Sequence, residues 1–293
     1  MVRGGPPRPS TSLGATLSLR SKGRALRRVV TVAALVLLPL IAGSAGLQSC
    51  APNVSAQLAN GDADDRHAGL QWRFVRVKYH SVADGTQIPQ EVAGEPWFID
   101  GPAAEQNLSR RVKAATAIQV EDPIVIALDD PRLFEYPWIY FVEPGTLRLL
   151  DAEVPILREF LLRGGSAMFD DFHGQSEWET FAREMRRVFP EREVVEVPKD
   201  HPVFSAFYKI DGFPQVAGIG SFAQGRTWEK GGFTPHLRAI EDDNGRAMVL
   251  INWNTDMGDG MEWSNATEYP GYIVHTAEAY RMMINEIIYA LTH

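Results

Sequence analysis

The 293-residue chain has a single cysteine, Cys50. One thiol excludes a disulfide framework, a CxxC redox pair and a thiolate zinc site. No two histidines have the spacing of a zinc-binding pair. The chain has no G-x-S-x-G elbow, no G-x-G-x-x-G and no G-x-x-x-x-G-K, so neither a serine nucleophile nor a nucleotide site is signalled. Internal repeats and low-complexity linkers are missing after residue 70. With 45% hydrophobic and 23% charged residues, the composition excludes a disordered chain, a collagen and a multi-span membrane protein. No cofactor and no metal centre are expected.

Acidic residues are absent from positions 1–50. That segment carries Arg3, Arg8, Arg20, Lys22, Arg24, Arg27 and Arg28, then an apolar run from Val29 to Leu47 broken by Pro39. A basic stretch before an apolar segment is an export signal. The run also approaches the shortest membrane-spanning length, roughly 17 residues, so an uncleaved anchor is an alternative. Cys50 closes the run as Leu47-Gln48-Ser49-Cys50. This resembles the bacterial lipoprotein box, in which the thiol receives a lipid and becomes the new N-terminus. A secretory signal cut after Val54-Ser55-Ala56 would instead discard Cys50, and Arg27-Arg28 offers a twin-arginine variant. Each alternative puts the body outside the cytoplasm, periplasmic or membrane-associated through the segment or its lipid.

Once the segment's seven basic residues are set aside, 22 basic groups face 37 acidic ones, a net charge of −15. Such a body repels phosphate backbones, and no nucleic-acid partner is expected. Residues 51–69 are small and polar and read as a tether. Residues 70–293 read as a single domain.

Within that domain, Trp72–Tyr79 is predicted as a strand and Ala103–Ala115 as a helix, capped by Asp100 with Pro102 in its first turn. Ile124–Leu128 and Trp138–Val142 are unbroken apolar runs, which predicts strands buried on both faces. Asp151 is placed to cap a helix whose stripe is Val154, Leu157, Phe160 and Leu161, ended by Gly164-Gly165. The strand Ser166–Phe169 follows and stops at Asp170-Asp171. Ser176 and Glu179 form a capping box for the next helix, with Trp178, Phe181, Met185 and Val188 inward. Val194–Val197 reads as a short strand, and residues 198–235 are irregular, as a lid or partner surface would be. Leu237–Ile240 and Met248–Trp253 form a hairpin around Asp242-Asp243-Asn244-Gly245, and a helix from His275 to Leu291 ends the chain. Strands alternating with helices predict an α/β fold: a mainly parallel, three-layer sheet with an antiparallel edge hairpin.

Ligands of open parallel sheets bind beyond the carboxyl ends of the strands. After Leu128 come Asp129 and Asp130; after Phe169 come Asp170, Asp171 and His173; after Trp253 come Asn254, Asp256, Asp259 and Glu262. These three clusters are expected along one rim, with Tyr136, Trp138, Trp178 and Tyr272 as lining aromatics. Crowded carboxylates raise one another's pKa or attract a cation, and an acid beside an ionised partner suits general acid–base work. Aromatics with carboxylates also suit a sugar ring. The alternative is that aspartates after strands are turn and cap residues, as Asp129 before Asp130-Pro131 would be. Asn254–Asp259 has calcium-loop spacing but lacks the remaining EF-hand ligands.

The stretches Leu128-Asp129-Asp130-Pro131-Arg132-Leu133-Phe134-Glu135-Tyr136-Pro137, Gly164-Gly165 through Phe169-Asp170-Asp171-Phe172-His173-Gly174, and Asn254-Thr255-Asp256-Met257-Gly258-Asp259 resemble the bacterial domain-of-unknown-function family numbered 4159. The likeness runs from about Phe74 to His293. The unit from Ala152 through the strand after Gly164-Gly165 also resembles ThuA-like proteins and class I glutamine amidotransferases. That resemblance implies a flavodoxin-like sheet. It puts Asp170 or Asp171 where the amidotransferases carry their cysteine, so thiol-based glutamine hydrolysis is not implied.

The function expected is binding, and hydrolysis, of a small polar ligand such as a carbohydrate. Asp170, Asp171 and His173 would be catalytic, and Asp129, Asp130, Trp178, Asn254, Asp256, Asp259 and Glu262 would contact the ligand. The alternative is a non-catalytic module with a protein partner in a membrane-tethered complex.

Overall fold

The computed structural model describes residues 65–82 and 95–293. The expectations for the export segment, Cys50 and most of the tether lie outside the described residues. Asp65–His67 forms a 3₁₀ turn.

Seven strands form the main sheet in the order β3-β1-β4-β6-β9-β8-β7. These are β1 (Gln71–Lys78), β3 (Gln119–Ala127), β4 (Trp138–Val142), β6 (Ser166–Phe172), β7 (Val195–Glu196), β8 (His236–Glu241) and β9 (Ala247–Trp253). The pairs from β3 to β9 are parallel, and β8 and β7 are antiparallel to their neighbours. Two short strands, β2 (His80–Ser81) and β5 (Leu147–Arg148), pair antiparallel beside it. The fold is thus α/β, of the flavodoxin-like three-layer type, with antiparallel strands at one edge.

The two faces of the sheet bury different cores. Trp72, Phe74, Tyr140 and Met168 pack with α1 (Ala103–Ala115) and the C-terminal helix, Ile273–Thr292. Val75, Val77, Phe141 and Phe169 pack with α2 (Glu153–Leu162) and α3 (Gly174–Val188). Alternation along β1 and β4 explains this split, because successive side chains point to opposite faces. In β4, β6 and β9 every residue is buried, as near-continuous apolar runs of a central parallel strand require.

Several local expectations are corrected. Among the described residues β3 is an edge strand paired only with β1, and Val125 is 40% exposed, so it is not buried on both faces. Its register slips opposite Arg73 and Val75, beside Pro123, which an edge tolerates because it gives up no central ladder bond. Asp100 and Asp151 do not cap helices through their side chains; α2 begins instead with Glu153 accepting from Leu150 N–H. The helix expected from Ser176 begins at Gly174, and Glu177, not Glu179, closes back onto His173 N–H at 2.6 Å. β6 continues through Asp170-Asp171 to Phe172.

Candidate functional site

The site is built where β6 and β9 end. Residues Phe169 to Phe172 of β6 run against Ile251 to Trp253 of β9, so β6 carries one residue more. Asp171 absorbs this bulge with φ 60°, in the left-handed region that costs a non-glycine residue about 1–2 kcal/mol. In a regular strand Asp170 and Asp171 would face opposite sides of the sheet. Here both reach the chain that follows β9.

Asp170 is fully buried and held by three donors: Tyr140 O–H at 2.8 Å, Gly258 N–H at 3.0 Å and Met257 N–H at 3.4 Å. These amides open a short helix, α5 (Met257–Glu262), which follows the single turn α4 (Ile219–Phe222) and whose first N–H groups have no partner within the helix. Asp256 caps α5, its Oδ1 accepting from Asp259 N–H at 2.6 Å. Asp259 is tied in turn to Ile219 N–H at 2.6 Å. Asp171 Oδ1 and His173 Nε2 share a hydrogen bond at 3.2 Å, and Nδ1 of His173, which is 1% exposed, has no partner among the described residues.

A further carboxylate arrives from an unexpected direction. Arg76, fully buried on β1, donates to the carbonyls of Ile99 (3.0 Å) and Trp97 (3.3 Å) and pairs with Glu105 at 2.6 Å. It thereby pins the turn that delivers Asp100, at φ 63°, to the cluster. One carboxylate oxygen each from Asp100, Asp171 and Asp256 lie within 4.8 Å of one another. Asp100 also forms such a triplet with the half-exposed Asp259 and Glu262. Beside the cluster, exposed Lys230 pairs with Glu177 at 2.6 Å and lies 3.8 Å from Glu143.

Burial sets the electrostatics. It is the largest cause raising the carboxyl pKa of Asp100, Asp171 and Asp256 well above the usual range, and repulsion from neighbouring carboxylates, Asp259 in all three cases, adds to it. Asp170 is pushed up to about 6 by burial, against the lowering effect of its donors. Glu143 rises to about 8, from burial and then from Asp171, with Lys230 opposing. Glu262 is raised by burial and by Asp259. Burial lowers His173, so its neutral form is favoured and its Nε2–H can donate to Asp171. The cluster can therefore hold protons near neutrality, or hold a cation in their place.

The rim expected from three acidic clusters is assembled from two of them. Asp129 is exposed and Asp130 is bound by its own neighbour Arg132, both beyond the edge strand β3. Trp178 lies on the opposite face, against Trp253 (ring centroids 4.8 Å) and under Arg238 (4.4 Å), and lines a cavity of about 430 Å³ with Met185 and Phe189. Asn254 is consumed as a clamp: Oδ1 accepts from Gly174 N–H at 2.9 Å and Nδ2 donates to Thr234 O at 2.7 Å. Tyr136 and Trp138 sit at the start of β4, away from its carboxyl end. Tyr272 adjoins the cluster, whose carboxylates raise its pKa after burial does, but its O–H is given to Ala217 O at 2.5 Å. Asp170, Asp171, His173, Asp256, Asp259 and Glu262 do come together. Sequence reasoning missed Asp100, Glu143 and Lys230. The only available signal was Asp100 before Gly101-Pro102, which reads equally well as a cap.

Fold and site together define an open, mainly parallel α/β domain with a buried carboxylate cluster at the carboxyl ends of its central strands. Residues 73–291 match the family described as Domain of unknown function (DUF4159), and the chain belongs to that family. No curated protein matches the chain.

Proposed function

We propose that this chain is an exported domain that binds a small polar ligand at the carboxylate cluster and hydrolyses it. Asp171 and His173 are the proton-transferring pair, and Asp256, Asp259 and Glu262 contact the ligand. The observation that carries this reading is Asp171 itself: left-handed, 7% exposed, joined to a neutral-favouring histidine, and unused as a cap. Backbone strain kept at a buried acid is more easily explained by chemistry than by stability. Asp170, with three donors, serves to position the bulge. Loss of Trp178 from the rim weakens the case for a stacked sugar ring, so carbohydrate is one ligand class to test among polar compounds.

Export rests on the basic and apolar pattern of residues 1–50, with lipidation of Cys50, cleavage or anchoring as its routes. Among the described residues no helix is long and apolar enough to cross a membrane. The second reading, an interaction module, is favoured by Phe233, which is 64% exposed in the 198–235 segment and packed on Trp228 at 4.5 Å.

The test is a thermal-shift and turnover screen of the full chain with mono- and disaccharides and p-nitrophenyl glycosides and esters. The expected result is a stabilising or hydrolysed compound whose effect disappears in Asp171→Asn while the fold persists. Asparagine tolerates the left-handed conformation, so that variant should fold. A hit that Asp171→Asn leaves unchanged would move the site elsewhere.

A further inference from the structure

We infer that Asp100, Asp171 and Asp256 together bind a divalent, oxygen-preferring cation of the calcium, magnesium or manganese class. The inference deepens the reading above, since it concerns the same cluster, and rests on that cluster being a ligand site.

Two independent observations support it. The first is the convergence of three carboxylates within 4.8 Å, each less than a tenth exposed. Two oxygens on opposite sides of a calcium ion stand roughly that far apart, at about 2.4 Å per bond. The second is Asp100 Oδ2, buried and without a hydrogen-bond partner among the described residues. A buried carboxylate oxygen left unpaired is costly, and native structures rarely keep one without a reason. Its position shows where it is aimed. An added Cβ on Gly258 would collide with Asp100 Oδ2 and stand 3.5 Å from Asp256 Oδ1, so the oxygen lies over the first turn of α5, on the Asp256 side. The nearby cations are committed elsewhere: Arg76 to Glu105, and Lys230 to Glu177.

The chemistry of the donors selects the ion. All three are carboxylates, which favours a hard cation over zinc or copper. His173 is turned to Asp171 Oδ1, which leaves the other oxygen of Asp171 for the metal. With the ion bound, His173 orients the metal-bound carboxylate and remains the group that moves the proton.

The experiment uses the full chain, stripped with EDTA, titrated separately with CaCl₂, MgCl₂ and MnCl₂ by calorimetry and thermal shift at pH 5 and pH 8. At least one ion should bind and raise the melting temperature. Asp100→Asn should weaken binding by roughly tenfold or more, whereas the distant Asp129→Asn should leave it unchanged. Asp100→Asn replaces a buried acid whose Oδ2 has no hydrogen-bond partner among the described residues, so it should not lower the stability of the stripped protein. If it does unfold, Asp256→Asn takes its place: it should weaken binding by a similar factor, and equal binding by that variant would overturn the inference. No binding of any of the three ions at millimolar concentration, or equal binding by Asp100→Asn, would overturn the inference. Cation binding with no polar ligand found would leave this inference standing and sink the hydrolytic reading; a ligand bound without a cation would do the reverse.

Discussion

The chain contains the same dipeptide, Asp-Asp, after two apolar strands, and the two copies behave in opposite ways. Asp129-Asp130 follows the edge strand β3, where water reaches both side chains. Asp130 closes a local turn on Arg132, bonding its backbone N–H at 2.9 Å and its guanidinium at 2.6 and 3.0 Å. Those bonds from Arg132 hold its pKa down to about 2. Asp170-Asp171 closes β6, which has a neighbour on each side and a helix layer on each face. Burial drives these acids the other way, and a bulge is needed to bring them to one place. An acidic turn becomes a site when the sheet denies it water and supplies too few cations.

The largest expected difference is in stability. Asp170→Ala strands Tyr140 O–H and two amides in the interior and should cost on the order of 3 kcal/mol in urea unfolding. Asp130→Ala should be nearly silent. If both variants lost equal stability, the contrast would be broken.

The pH dependence comes next. The folded pKa values of Asp170 (about 6) and Glu143 (about 8) lie above ordinary carboxylate values. The folded protein therefore keeps protons that the unfolded chain has released. Stability is full below about pH 4 for these groups and is lost as pH rises through 6 and 8. Asp170 alone accounts for about 3 kcal/mol, at 1.36 kcal/mol per pKa unit. Asp130 has the opposite sign, its contribution being present above about pH 4 and lost as pH falls toward 2. Calorimetric melting of EDTA-treated protein between pH 4.5 and 8.5 should fall toward the alkaline end; a flat or rising profile would contradict the burial argument.

A smaller effect is expected at Asp171. Asp171→Asn removes a buried acid that Asp170 and Asp259 repel, without disturbing the left-handed turn, so the melting temperature at pH 8 should hold or rise, while Asp129→Asn changes nothing. The subtlest case is Glu286 of the C-terminal helix, fully buried and hydrogen-bonded by Asn252 at 3.3 Å. Burial, then Asp170, raises its pKa, which favours the neutral acid. Glu286→Gln should therefore shift stability by less than about 1 kcal/mol and remove its share of the pH slope. A large loss would mean that Glu286 is ionised.

Much of this fold was legible in the residues. Trp138–Val142 and Ala103–Ala115 follow directly from an apolar run and from helical periodicity, both local signals. Ile124–Leu128 misled because apolar composition does not reveal whether a strand has one neighbour or two. The start of α3 misled because the cap is supplied by a long-range clamp, Asn254 on Gly174, rather than by Ser176. Most of the site, from Asp170 to His173 and from Asp256 to Glu262, could be read from the rule that ligands sit past strand ends. Asp100 could not, because it reaches the cluster through Arg76 and a turn that no spacing pattern marks.

Carboxyl-carbon NMR titration of the aspartates measures the central contrast directly. Asp130 should titrate near 2, Asp170 near 6, and Asp100, Asp171 and Asp256 well above the ordinary carboxylate range in metal-free protein. If Asp171 and Asp256 titrated at or below the ordinary value of about 4, the buried cluster would not exist as described.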